Sequence, residues 1–180
     1  SDLRGKIYNN FIHLGGTSTA YGLYTYSCSY QDFSFNNVNV TSTNTTSSGT
    51  AFFNSSGSNI RVRNNIFVNS GGGYAYYTNN TGAIISSDYN DLYTTGANLA
   101  YWQNNYTSLE ALQAASGKDG NSLSIDPSFA GTSDLHVDQP NLDGAGTPLA
   151  DVSTDIDGQL RHEVTPDIGA DEFGAGLTTN

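Results

Sequence analysis

The chain has 180 residues, a net charge of −11 and only six Lys and Arg, with 36% apolar and 13% charged residues. So few cations cannot neutralise a phosphate backbone or an anionic lipid surface, which excludes nucleic acid and membranes as partners. Twelve Tyr and eight Phe are far more than disordered chains carry, so one ordered, polar-surfaced domain is expected.

The chain opens directly in strand-like sequence, LRGKIYNNF, which reads as a piece of a longer secreted protein. It contains no apolar run long enough to span a bilayer. The single Cys28 cannot form an internal disulfide and reads as a buried structural thiol.

From there a short segment recurs: KIYNNFIHL, SFNNVNVT, RVRNNIFVN and DYNDLYTTG. Its first Asn falls at 9, 36, 64 and 90, at spacings of 27, 28 and 26. Two residues later stand Phe11, Val38, Ile66 and Leu92, and two further on His13, Val40, Val68 and Thr94. That is the period-2 alternation of a strand, repeated four times. A second segment follows each: YGLYTY, GTAFFN, GYAYYT and NLAYWQ. Stacked, it gives the columns Leu23, Ala51, Ala75, Ala100, then Tyr24, Phe52, Tyr76, Tyr101, then Thr25, Phe53, Tyr77, Trp102. A third short strand per repeat is expected around Phe33, Ile60 and Ile84.

Repeats of this length with two or three strands and no helix stack as a solenoid. The expected fold is all-β, a right-handed parallel β-helix of about four coils over residues 1–103. Residues 104–180 are expected to form a C-terminal capping and return segment of the same domain. Within it, TSLEALQAASG predicts one short helix over 108–116, with Thr107 as N-cap, Glu110 completing a capping box and Gly117 ending it. Asn9, Asn36, Asn64 and Asn90 read as turn-forming and ladder-bonded residues.

NNIFVN with GYAYY, followed by LEALQAASG, IDPSF, DLHV and finally DIDGQLR with PDIGADEF, resembles secreted bacterial right-handed β-helix proteins of the pectate-lyase-like superfamily. The resemblance covers nearly the whole chain, and its ending is the most specific element. It implies the β-helix fold and an extracellular location. For activity it leaves polysaccharide lyase, hydrolase and non-catalytic carbohydrate-binding module open, including xylan-binding modules.

The residues favour the non-catalytic reading. A lyase of this fold needs a cationic base beside clustered carboxylates. Arg61 and Arg63 share a strand face, but no carboxylate cluster stands in the neighbouring columns. Asp88 and Asp91 are near one another but read as structural rather than as a hydrolase pair, and no catalytic residue is assigned. No cofactor is required; were calcium bound, Asp151, Asp155 and Asp157 would be its candidate ligands. His13, His136 and His162 show no metal-binding spacing, and His13 falls in a column assigned inward.

The aromatic column carries the functional expectation. With the alanines facing inward, Tyr24, Phe52, Tyr76 and Tyr101 would project outward as a ladder about 4.8 Å apart. The opposite register would expose Trp102 with Phe53 and Tyr77. A neighbouring column of Tyr8, Phe35, Arg63 and Tyr89 would extend the platform. Such a strip suits sugar rings and needs no charge. The expected function is a carbohydrate-binding module for a plant cell-wall polysaccharide of the xylan type, within a larger multidomain secreted enzyme. The alternatives are the C-terminal part of a lyase or glycoside hydrolase, and a structural or adhesive surface repeat.

Overall fold

A computed structural model describes residues 3–174. The chain winds through four coils of parallel strands. The first coil holds β1 (Gly5–Leu14), β2 (Ala20–Thr25) and β3 (Cys28–Ser29), and the second β4 (Gln31–Val40), β5 (Gly49–Asn54) and β6 (Gly57–Ser58). The third holds β7 (Ile60–Arg63), β8 (Ile66–Asn69) and β9 (Tyr74–Thr78); the fourth holds β10 (Ile84–Asp88), β11 (Asp91–Thr94) and β12 (Ala100–Trp102). Strands pair in parallel with their counterparts one coil away, β1 with β4, β2 with β5 with β9 with β12, and β4 with β7 and β8. This is the expected all-β right-handed parallel β-helix. The predicted third strands at Phe33, Ile60 and Ile84 lie in β4, β7 and β10, the leading sides of their coils.

The stacking register differs from the sequence alignment by one residue in two coils. Asn10, Asn36, Asn65 and Asn90 form the ladder, not Asn9 and Asn64. The Nδ2 of Asn10 donates to Asn36 Oδ1 (2.7 Å), Asn36 Nδ2 to Asn65 Oδ1 (2.9 Å) and Asn65 Nδ2 to Asn90 Oδ1 (3.0 Å). The residue preceding each rung turns the corner in the left-handed region: Asn9, Phe35, Asn64 and Tyr89, at φ 52°, 54°, 59° and 57°. Asn adopts that conformation readily, whereas an aromatic there costs on the order of 1–3 kcal/mol and must be held by its surroundings.

The slip changes faces, because successive strand residues point to opposite sides. The inward column is Ile12, Val38, Phe67 and Leu92, while Phe11, Asn37, Ile66 and Asp91 face outward. The predicted column of Phe11, Val38, Ile66 and Leu92 therefore mixes both faces. His13 likewise lies outside, in register with Asn39, Val68 and Tyr93, with Nε2 3.1 Å from Thr41 Oγ1. Inside, Phe52 stacks on Phe67 (5.2 Å) and packs against Tyr76 (5.1 Å) and Phe33 (5.3 Å).

After β12 the chain makes one antiparallel strand, β13 (Asn105–Tyr106), and then α1 (Leu109–Ser116). The N-cap is Ser108 rather than Thr107, its side chain accepting from the Ala111 N–H, and Gly117 closes the helix at φ 66°. Leu109 and Leu112 plug the end of the solenoid core. The described residues after α1, as far as 174, run back over the outer face of β8 and β11 with almost no regular structure. There Ile66 and Val68 form a second core with Val137, Leu142, Ile168 and Phe173.

Each asparagine pair divides its work between ladder and tail. Asn37 accepts from Ala170 N and donates to the Leu135 carbonyl; Asn64 exchanges both bonds with Thr147; Asn9 donates to the Thr154 carbonyl. Asp91 holds the same place in the fourth coil, accepting from Ile125 N at 3.0 Å, while its other oxygen is buried without a partner. Burial pushes its carboxyl from 3.8 up to about 7. The folded state therefore retains a proton that the unfolded chain releases near pH 4, and stability falls as pH rises from about 4 to 7. Asp91→Asn is expected to flatten that decline in urea midpoints measured across the window. The slope that persists belongs to Asp167, which burial also raises to about 7, and to Asp119 and Asp171, which burial raises as well.

Candidate functional site

The aromatic ladder exists, with a different membership from the one the alignment implies. Tyr24, Phe53, Tyr77 and Tyr101 are in register across β2, β5, β9 and β12 and face outward. Phe52 and Tyr76 are fully buried in the core, in register with Leu23 and Ala100, and Trp102 also lies inward, in register with Thr78. The cause is a local break in alternation. The pairing skips Gly22, Ala51 and Ala75, and these alanines and the next residues, Phe52 and Tyr76, all line the core. Two consecutive inward residues, with one residue unpaired at the same level in each strand, shift every later side chain to the opposite face.

Because of that break, Tyr21 and Tyr74 also face outward, three residues before Tyr24 and Tyr77. Six rings form one surface cluster. Phe53 and Tyr77 stack at 4.9 Å and 5°, Tyr77 and Tyr101 at 4.3 Å and 11°, and Tyr21 and Tyr24 at 5.1 Å and 24°. Tyr74 meets Tyr77 edge-on at 5.1 Å. The central rings thus spend their faces on one another. Phe53 is only 6% exposed, whereas Tyr24, in the first coil, is 49% exposed. What the row offers is ring edges and phenol hydroxyls. Burial, with the nearby Tyr101 and Tyr74 phenols, raises the Tyr77 hydroxyl, keeping it a neutral donor. The Tyr74 hydroxyl donates to Asn105 Oδ1 (3.0 Å) and that of Tyr21 to Ser48 Oγ (3.5 Å).

Beside Tyr74 opens a cleft of about 470 Å³, lined by Thr45, Gly72, Gly73, Thr95, Gly96 and Asn98 among others, with no charged residue. It forms where the turns before β5, β9 and β12 stack. Gly73 and Gly96 allow this approach, since a Cβ on either would come within about 2.1 Å of a backbone oxygen of the preceding coil, that of Gly49 or Gly72. Its size falls in the range of small-ligand clefts.

The predicted extension of the platform does not form. Tyr8 and Arg63 share an outward column with Ser34 and Asp88, but on the other sheet. Phe35 is fully buried at a corner, its ring 3.8 Å beneath the Arg161 guanidinium, and Tyr89 is the corresponding corner residue of the last coil. The cations of that sheet do meet a carboxylate: Arg4 Nε lies 2.7 Å and Arg61 3.9 Å from Asp32.

The acids expected as candidate calcium ligands each have a separate partner. Asp151 pairs with Lys6 at 2.6 Å. Asp155 is buried and accepts from the N–H groups of Asp157, Gln159 and Glu172. Asp157 instead faces His136. Asp88 accepts three bonds, from Tyr89 and Asn121. Asp88 stays half-exposed, whereas Asp91 is buried. Cys28 is half-exposed rather than buried, its thiol near the Tyr26 carbonyl at 3.4 Å. A larger cleft of about 870 Å³ lies over Phe35, Val152 and Pro166. Its buried charge, Arg161, is already paired with Glu172. Comparison with family models, curated proteins and solved structures found no match to this chain.

Proposed function

We propose that this chain is a non-catalytic carbohydrate-binding module. It takes a neutral or weakly acidic plant cell-wall polysaccharide, of the xylan type, along the tyrosine row and into the adjoining cleft. The observation that supports this most is the uncharged continuity of that surface: six outward rings, their hydroxyls, and a glycine-floored cleft meeting at Tyr74. Sugar hydroxyls bond to Tyr, Asn and Thr, and sugar C–H faces pack on the exposed ring edges and on the half-exposed Tyr24 ring. An acidic chain does this without needing cations. The resemblance of the repeat and of the PDIGADEF ending supports a place in a larger, secreted bacterial protein of the pectate-lyase-like kind.

Affinity electrophoresis against a glycan panel tests the reading. The protein is expected to be retarded by xylan, and Tyr24→Ala and Tyr74→Ala each to weaken binding about tenfold, a loss of about 1.4 kcal/mol. Arg61→Ala, on the other sheet, should leave retardation unchanged. No retardation on any glycan would remove the proposal. Unsaturated products appearing from uronate polymers would replace it with a lyase.

A further inference from the structure

The returning C-terminal segment assembles a group of side chains that no spacing in the sequence announces. His136, Asp157 and Asp171 each bring one ligand-capable atom within 4.8 Å of the others. They come from three separate stretches: DLHVD, the DIDG turn and the PDIGADEF ending. His136 Nε2 lies 2.9 Å from Asp157 Oδ2, and its Nδ1 lies 2.5 Å from Asp134 Oδ1. The Phe11 ring meets the imidazole edge-on at 4.8 Å and fixes its plane.

Three features of this group point to a cation. Asp134 on Nδ1 orients the ring so that Nε2, which donates its proton to Asp157, can exchange that proton for a metal, the carboxylate–histidine arrangement that orients a metal-binding imidazole. Three carboxylates surround a single imidazole, so even a protonated ring leaves excess negative charge. Asp171 is only 6% exposed, and its one hydrogen bond among the described residues is a long 3.4 Å contact from Val137 N. A buried carboxylate so poorly satisfied is costly unless a positive partner approaches.

We propose that His136, Asp157 and Asp171 bind a divalent transition-metal cation of the zinc type, with Asp134 as the positioning residue, and that the metal pins the three tail stretches together. One nitrogen and two carboxylate oxygens are a borderline donor set that suits zinc better than calcium, which takes six to eight oxygens. Ligand atoms on a tetrahedral zinc lie about 3.4 Å apart, given bonds of about 2.1 Å. With its ligand atoms within 4.8 Å of one another, the cluster has to close its widest gap by about 1.4 Å at most, while the 2.9 Å His136–Asp157 pair opens slightly.

The test is calorimetric titration of the chelator-stripped protein with zinc chloride at pH 7.5, with melting curves in parallel. One zinc per chain is expected, and a melting temperature raised by about 5–10 °C at a hundredfold excess over Kd. Asp157→Asn, a change at an exposed position, and His136→Ala should each cut zinc affinity at least tenfold and abolish the shift, with the far-ultraviolet spectrum unchanged. Calcium should give a smaller shift. No zinc-dependent shift in the unaltered protein, a shift surviving in both variants, or calcium matching zinc would each overturn the site.

Discussion

Glu172→Gln is expected to cost about 3–5 kcal/mol of folding stability, the loss that follows when a buried ion pair is left with one charge. The side chains of Arg161 and Glu172 are 3% and 1% exposed and meet at 3.2 Å. Arg161 also donates to Asn9 Oδ1 and to the carbonyls of Gly169 and Ala170, and lies over the Phe35 ring. Glu172 in turn accepts from the His162 and Asp167 N–H groups. Removing the negative partner strands a guanidinium that desolvation already disfavours, its pKa drawn down chiefly by burial. A buried pair with no other duties can often be replaced by apolar residues without loss. Here the double variant Arg161→Met/Glu172→Met should stay well below the unaltered protein, because two carbonyls and two N–H groups lose their partners as well. Urea denaturation of both variants checks this; a double variant as stable as the parent would show the pair to be dispensable.

Asn65→Ala is expected to be similarly damaging, about 3–5 kcal/mol, from lost backbone satisfaction. Asn65 Oδ1 accepts from both the N–H and the side chain of Asn36, while its Nδ2 donates to the Phe33 and Arg63 carbonyls as well as to Asn90. Each buried group left unpaired costs about 1–3 kcal/mol. Asn10→Ala, at the half-buried first rung, should cost about 1 kcal/mol, since among the described residues Asn10 donates only to Asn36 and to the Tyr8 carbonyl. Asn65→Asp tests the mechanism rather than the volume. It keeps the shape but turns an acceptor toward three oxygens, and should be at least as destabilising as alanine above pH 5. Equal, small losses at positions 10 and 65 would mean that the ladder does not carry the coil.

Both predictions depend on a distinction the sequence alone could not draw. A repeat of paired asparagines determined that there is a solenoid, because only stacked coils put like residues over one another at such spacing. Composition likewise determined the uncharged, aromatic-rich surface, and the Leu109, Leu112 and Gly117 pattern located the capping helix. The tertiary structure decided which asparagine of each pair is the rung. A pair presents the same two letters whichever one turns the corner, and with a side-chain period of two that single-residue choice exchanges inside and outside. The break in alternation at Ala51 and Ala75 repeated the effect in the second strand. It buried Phe52 and Tyr76 and brought out Phe53 and Tyr77, so four rings were expected and six stand together. His136, Asp157 and Asp171, like Arg161 with Phe35, meet only through a long irregular return path. Such contacts are set by packing against the outer face of the coils and leave no periodic trace in the chain.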